Sequence, residues 1–61
     1  MTTLEKIKSA ANMMRNEKAI SGGTFEDGST FQRNNNNKQL AFILENETYT
    51  HFNIQTEEIL F

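Results

Sequence analysis

The residues able to do chemistry in this 61-residue chain are few and far apart. Nucleophilic catalysis needs a nucleophile beside a base, and the chain has no Cys and a single His, His51. On a strand His51 shares a face with Tyr49, two residues away, a placement that an ordinary half-exposed sheet histidine already satisfies. One imidazole among scattered carboxylates is a poor transition-metal set. Asp27-Gly28-Ser29 is too short for a calcium loop, and a turn explains it. Glu45/Glu47 and Glu57/Glu58 are the only acid pairs worth weighing. Both fall in or near polar breaks, and a paired-carboxylate mechanism needs a cleft that so small a chain has little volume to build. Gly22-Gly23 follows a helical pattern instead of opening one, so it is not a phosphate loop. Asn46-Glu47-Thr48 fits the glycosylation acceptor pattern, a chance match in a chain that shows no secretory signal. These residues predict a protein that is not an enzyme and carries no cofactor and no metal.

Charge is more informative than reactivity. Residues 1–38 hold all six Lys and Arg side chains and four acidic ones, whereas residues 39–61 hold four glutamates and no Lys or Arg. A helix over the first segment would set Lys8, Asn12 and Arg15 in one stripe. With Arg33 and Lys38 these form a candidate nucleic-acid contact. The formal charge of −2 and a pI near 5.2 argue against that use, since nucleic-acid binders usually carry a basic excess. The longest unbroken apolar run, Leu40 to Leu44, is far too short to span a bilayer. The lack of Cys suits a reducing compartment, so the expected location is the cytoplasm.

The elements that must position these residues follow from periodicity. Leu4, Ile7, Ala11 and Met14 recur at helical spacing, with Ala10 widening the stripe, and predict a helix over 2–20. Thr2 and Glu5 form a capping-box pattern at its start, and Gly22-Gly23 offers a stop. Beyond Gly23 the period becomes two and Phe25, Phe31, Phe42, Tyr49 and Phe52 appear. Polar breaks at Asp27-Gly28, Asn34–Asn37 and Glu45–Glu47 divide four strands, over 23–26, 29–34, 37–44 and 48–54. The expected fold is α+β, one N-terminal helix on a four-stranded antiparallel meander in a single small domain. Residues 56–61 fit either a helical turn or a strand.

Turn chemistry sets an expected register. A two-residue Asn35-Asn36 turn places Phe31 opposite Leu40, and a two-residue Asp27-Gly28 turn places Phe25 opposite Thr30. Glu45 suits positive φ poorly, so a three-residue loop is expected at Glu45–Glu47, setting Leu40 opposite Phe52. One face then carries Phe31, Leu40, Phe42, Leu44, Phe52 and Ile54 and receives the helix. The other carries Phe25, Ala41, Ile43, Tyr49 and His51. The central strand, Leu40-Ala41-Phe42-Ile43-Leu44, is apolar on both sides, yet only one long helix exists to cover it.

A leading helix, a small sheet and the ending Gln55-Thr56-Glu57-Glu58-Ile59-Leu60 look somewhat like small phage anti-defence proteins that sequester nucleotide signals. The likeness touches only the two ends. Those proteins are rich in Trp, this chain has none, and no site residue is carried across. A short, Cys-free, Asn-rich acidic chain also suits small accessory proteins of phages and mobile elements.

A chain this short buries only about 60% of the surface it exposes when unfolded, and it has no disulfide to help. Together with the two-faced central strand, this points to a small protein-binding or regulatory protein, an inhibitor or adaptor, that meets a partner protein or a second copy of itself. Phe25, Ile43, Tyr49, Leu60 and Phe61 are the expected anchors. The alternatives are nucleic-acid binding through Lys8, Asn12, Arg15, Arg33 and Lys38, and small-ligand sequestration at an oligomer interface near Tyr49 and His51.

Overall fold

A computed structural model describes residues 1–61. The chain folds as one helix, α1 (Thr3–Asn16), followed by five strands: β1 (Gly22–Thr24), β2 (Thr30–Arg33), β3 (Leu40–Glu45), β4 (Thr48–Asn53) and β5 (Ile59–Leu60). The strands form one antiparallel sheet in sequence order, with β3 at its centre. The α+β meander is as expected, with a fifth strand added by the tail. Residues 59–60 pair with β4 at the sheet edge, Leu60 opposite His51 and Ile59 opposite Phe52.

The capping box forms. The Thr2 hydroxyl accepts from the Glu5 N–H at 3.1 Å, and the Glu5 carboxylate accepts from the Thr2 N–H at 2.8 Å. The helix ends at Asn16, earlier than position 20. The positions that would continue its apolar stripe three and four residues beyond Met14 are Glu17 and Lys18, so another turn would bury nothing. Glu17 caps the helix in an extended conformation. Gly22 and Gly23 therefore do not stop the helix; they begin an edge strand. A Cβ on Gly22 would lie 2.8 Å from the Phe31 carbonyl oxygen, and one on Gly23 would lie 2.7 Å from the Phe31 ring. Close approach to β2, and not helix termination, is what these two glycines provide.

The three turns expected from the sequence all take another form, and together they change the register. At the first, Phe25 pairs with Ser29 through its N–H, and Gly28 sits at φ 91°. The loop is the three residues Glu26–Gly28 with glycine in the left-handed position, not a two-residue Asp-Gly turn. At the second, the Asn34 side chain accepts from the N–H groups of Asn36 and Asn37, and the Asn37 side chain accepts from Gln39. These asparagines hydrogen-bond their own backbone and build a longer loop without positive φ. Phe31 consequently lies opposite Ile43, not Leu40. At the third, Asn46 (φ 47°) and Glu47 (φ 65°) both take the left-handed conformation. A tight two-residue turn results, and Ala41 lies opposite Phe52.

Shifts of an odd number of residues exchange the two faces of β3. The helix-facing side carries Phe31, Ala41, Ile43, Phe52 and Ile54, which pack against Ile7, Ala10, Ala11 and Met14 of α1 to form the core. Ile20, Phe25 and Ile59 border it. The expected face sets are thus corrected. Ala41, Ile43 and Phe25 belong to the helix side; Leu40, Phe42 and Leu44 belong to the other. Leu4, expected in the helix stripe, is 65% exposed.

Candidate functional site

The face of the sheet remote from α1 has no cover. Alternation from the observed pairing places on it Thr24, Thr30, Gln32, Leu40, Phe42, Leu44, Tyr49, His51, Asn53 and Leu60. None of these is Lys, Arg, Asp or Glu; the charged residues of the strands, Arg33 and Glu45, stand on the helix side. Phe42 is the centre of an aromatic group. Its ring lies 5.4 Å from Tyr49 in edge-on contact and 5.6 Å from His51. Tyr49 is 58% exposed and Leu60 43% exposed. Cross-strand pairs of this kind stabilise a sheet modestly and leave one side of each ring in water.

Of the expected anchors, the structure brings Tyr49 and Leu60 onto this face. It does not bring Ile43, which is fully buried beneath α1, or Phe25, which packs at the core margin with its ring 5.4 Å from Phe31. Phe61 follows β5 and is fully exposed at the chain end. Phe42 was assigned to the core by the expected register and is the residue that reasoning missed on the open face.

Lys6 is a second feature that periodicity did not single out. Its side chain is 3% exposed and its Nζ donates to Asp27 Oδ2 and Glu45 Oε2, each at 2.5 Å. Glu45 Oε1 also accepts from the Thr3 hydroxyl at 2.6 Å, and the ammonium lies 5.9 Å from the centre of the Phe25 ring. The hydrogen bonds that its ammonium donates to Asp27 and then to Glu45 raise the Lys6 pKa above its usual range. The Lys6 ammonium, with the Ser29 hydroxyl and N–H, holds the Asp27 carboxyl far below its usual range. Lys6 and Thr3 lower Glu45. An amine so firmly protonated is neither base nor nucleophile. The group instead ties the first turn of α1 to the β1–β2 loop and the end of β3. Lys6 stands four residues before Ala10, on the border of the buried stripe; that spacing was the available signal. Its partners, 21 and 39 residues away, left none.

The five residues of the nucleic-acid reading fall into two groups. Lys8 and Asn12 are exposed on the back of α1. Arg15 and Arg33 are partly buried and hydrogen-bonded. Arg15 donates to the Ile54 carbonyl and to Glu57, both at 2.7 Å. Arg33 donates to the carbonyls of Lys38, Met14 and Ile20 at 2.9, 3.3 and 3.0 Å. Lys38, exposed in the 34–39 loop, stands near Arg33 and away from Lys8. Arg15 lines one depression with Lys8 and Asn12, as the helix stripe implies, and a second with Arg33 and Lys38, so it stands between the two groups. No group of three His, Asp or Glu side chains is placed to hold a metal ion, and no helix is long and apolar enough to cross a membrane. Searches against family models, curated proteins and solved structures found no match to the chain.

Proposed function

We propose that this protein is a non-catalytic binding protein, an inhibitor or adaptor, that works by laying its open sheet face against another protein. The observation that carries this reading is the uncovered side of β3 and β4, free of Lys, Arg, Asp and Glu on its strands, with Phe42, Tyr49 and His51 at its centre and Leu60 at its edge. Aromatic residues contribute heavily where interfaces bury them, and depletion of charge marks interface centres. Tyr49 and His51 add polar tips that fix orientation. The partner surface that fits is flat, apolar and uncharged, with hydrogen-bonding groups for those tips. Six-residue strands rise about 20 Å and five strands span about 19 Å, so the sheet offers a small interface, near the low end of specific ones. Such a contact suits a regulator that binds and releases.

A second copy of the chain is the competing occupant, since a face without charge meets itself without repulsion. Affinity capture with the wild type, with a Phe42→Thr/Tyr49→Thr variant and with Lys8→Glu separates the readings when sedimentation is run beside it. Capture of one protein by the wild type and Lys8→Glu, lost in the double variant, supports heterologous binding. A dimer abolished by the double variant assigns the face to self-association. A monomer that captures nothing, or captures equally with the face altered, ends the proposal.

A further inference from the structure

Four of the six basic residues of the chain, Arg15, Lys18, Arg33 and Lys38, line one depression of about 570 Å³ where the end of α1, the connection to β1 and the 34–39 loop converge. No Asp or Glu lines it; the side chains that complete its polar wall include Gln39 and Gln55. We infer that this depression binds a compact phosphate-bearing ligand and grips it through its phosphates.

Three observations carry the inference. First, the charge is not neutralised within the depression. Lys18 and Lys38 make no ion pair or side-chain hydrogen bond, and only Arg15 has a carboxylate partner, Glu57, which lies outside the lining. Second, Arg33 is held by carbonyls and not by a carboxylate, so it is oriented without losing its charge. A guanidinium has five N–H donors, and the three bonds leave two for a ligand. Its bond to the Met14 carbonyl also offsets the negative pole of α1, which would otherwise repel an anion there. Third, the size is that of a small-molecule site, while no aromatic ring lines it. A single-stranded nucleic acid would want stacking platforms along its track; a compact oligophosphate needs only the cations and donors present. This site is distinct from the open sheet face and stands or falls separately.

The test is a backbone amide NMR titration with sodium tripolyphosphate at low salt, beside a twelve-residue oligothymidylate, using the wild type, Lys18→Gln/Lys38→Gln and Lys8→Gln. Neither replaced side chain of the double variant makes a hydrogen bond or ion pair, and the Lys38 carbonyl that Arg33 meets is kept, so the fold is retained and the spectrum checks this. The expected result is saturable binding of tripolyphosphate, millimolar or tighter, with shifts confined to residues 15–21, 33–39 and 54–55. The double variant weakens it about tenfold, as two lost charge contacts would, and Lys8→Gln leaves it unchanged. Absence of saturation overturns the inference. So does equal weakening by Lys8→Gln, which would mean diffuse charge, or tighter binding of the oligonucleotide, which would make the ligand a nucleic acid.

Discussion

Replacing Ile43 or Phe42, adjacent on β3, by alanine sets the observed register against the register that turn chemistry predicts. Ile43 has no exposed surface and lies in the core between α1, Phe31 and Phe52. Truncating such a residue costs about 2–5 kcal/mol, transfer and cavity combined. Phe42 lies on the open face, half-buried, and loses an edge-on ring contact with Tyr49 and a tilted one with His51, worth about 1 kcal/mol together, with partial burial adding about 1 more. A domain of this length holds roughly 3–9 kcal/mol in total, so Ile43→Ala takes away a third or more of its stability and Phe42→Ala a smaller part. Urea denaturation followed by circular dichroism reads the difference. With a slope near 1 kcal/mol per molar for so small a protein, the midpoint falls by about 3–4 M for Ile43→Ala and about 2 M for Phe42→Ala. The larger alanine cost at Phe42, or equal costs at both, would refute the pairing of Phe31 with Ile43 and every face assignment that rests on it.

Other perturbations address single features. Glu47→Gly should stabilise by about 0.5–1 kcal/mol, because it relieves a left-handed glutamate and creates the Asn-Gly pair that two-residue turns favour; a lower thermal midpoint would contradict the turn. Gly22→Ala should cost about 1–3 kcal/mol, since its Cβ would lie 2.8 Å from the Phe31 carbonyl oxygen and β1 would have to shift; thermal melting checks it. Stability should fall on acidification below about pH 4.5, because Glu45, Asp27 and Glu5 titrate below their ordinary values of 4.5, 3.8 and 4.5 in the folded state. A carboxylate with a depressed folded pKa contributes above its unfolded value and loses that contribution as protons bind. Lys6, whose pKa is raised, contributes below 10.5 and loses it above. In Lys6→Met both limbs should flatten, and an acid limb identical to wild type would show that the ammonium is not its source. Glu45 should carry more of the effect than Asp27, which is 56% exposed and screened by water and salt.

The sequence revealed most where its signals are local. The Thr2/Glu5 cap, the stripe from Ile7 to Met14 and the count of alternating segments all lie within a few residues of the structure they specify. The register was illegible for the same reason inverted. It depends on turn lengths, and Asn34 and Asn37 can meet a left-handed turn or bind their own backbone with equal chemistry. The latter occurs, and its five-residue loop moves Phe31 from Leu40 to Ile43. Glu47 was a weaker prediction still, since nothing local favours a glutamate at positive φ. Only the combined burial of Ile43 and Phe52 against α1 compensates for it. The Lys6 group joins residues 6, 27 and 45, and no window of sequence contains all three. Because β3 is apolar on both sides, exchanging its faces changes which residues lie uncovered but not that one side does.

The composition of the two sides gives that uncovered face its significance. Three of the nine core residues are alanines, Ala10, Ala11 and Ala41, which let α1 approach the sheet closely but bury little apolar area. Meanwhile Phe42, Leu44, Tyr49 and Leu60 stand on the side with no helix. A 61-residue domain is short of buried area, and moving large apolar groups from the open face into the core would add roughly 1.5–3 kcal/mol for each one fully buried. The arrangement is therefore poor for an isolated molecule and good for one that meets an apolar surface. The tail reinforces this. Instead of folding across Phe42 and Tyr49, β5 extends the sheet and adds Leu60 to the same face, so this segment enlarges the open surface and does not cover it.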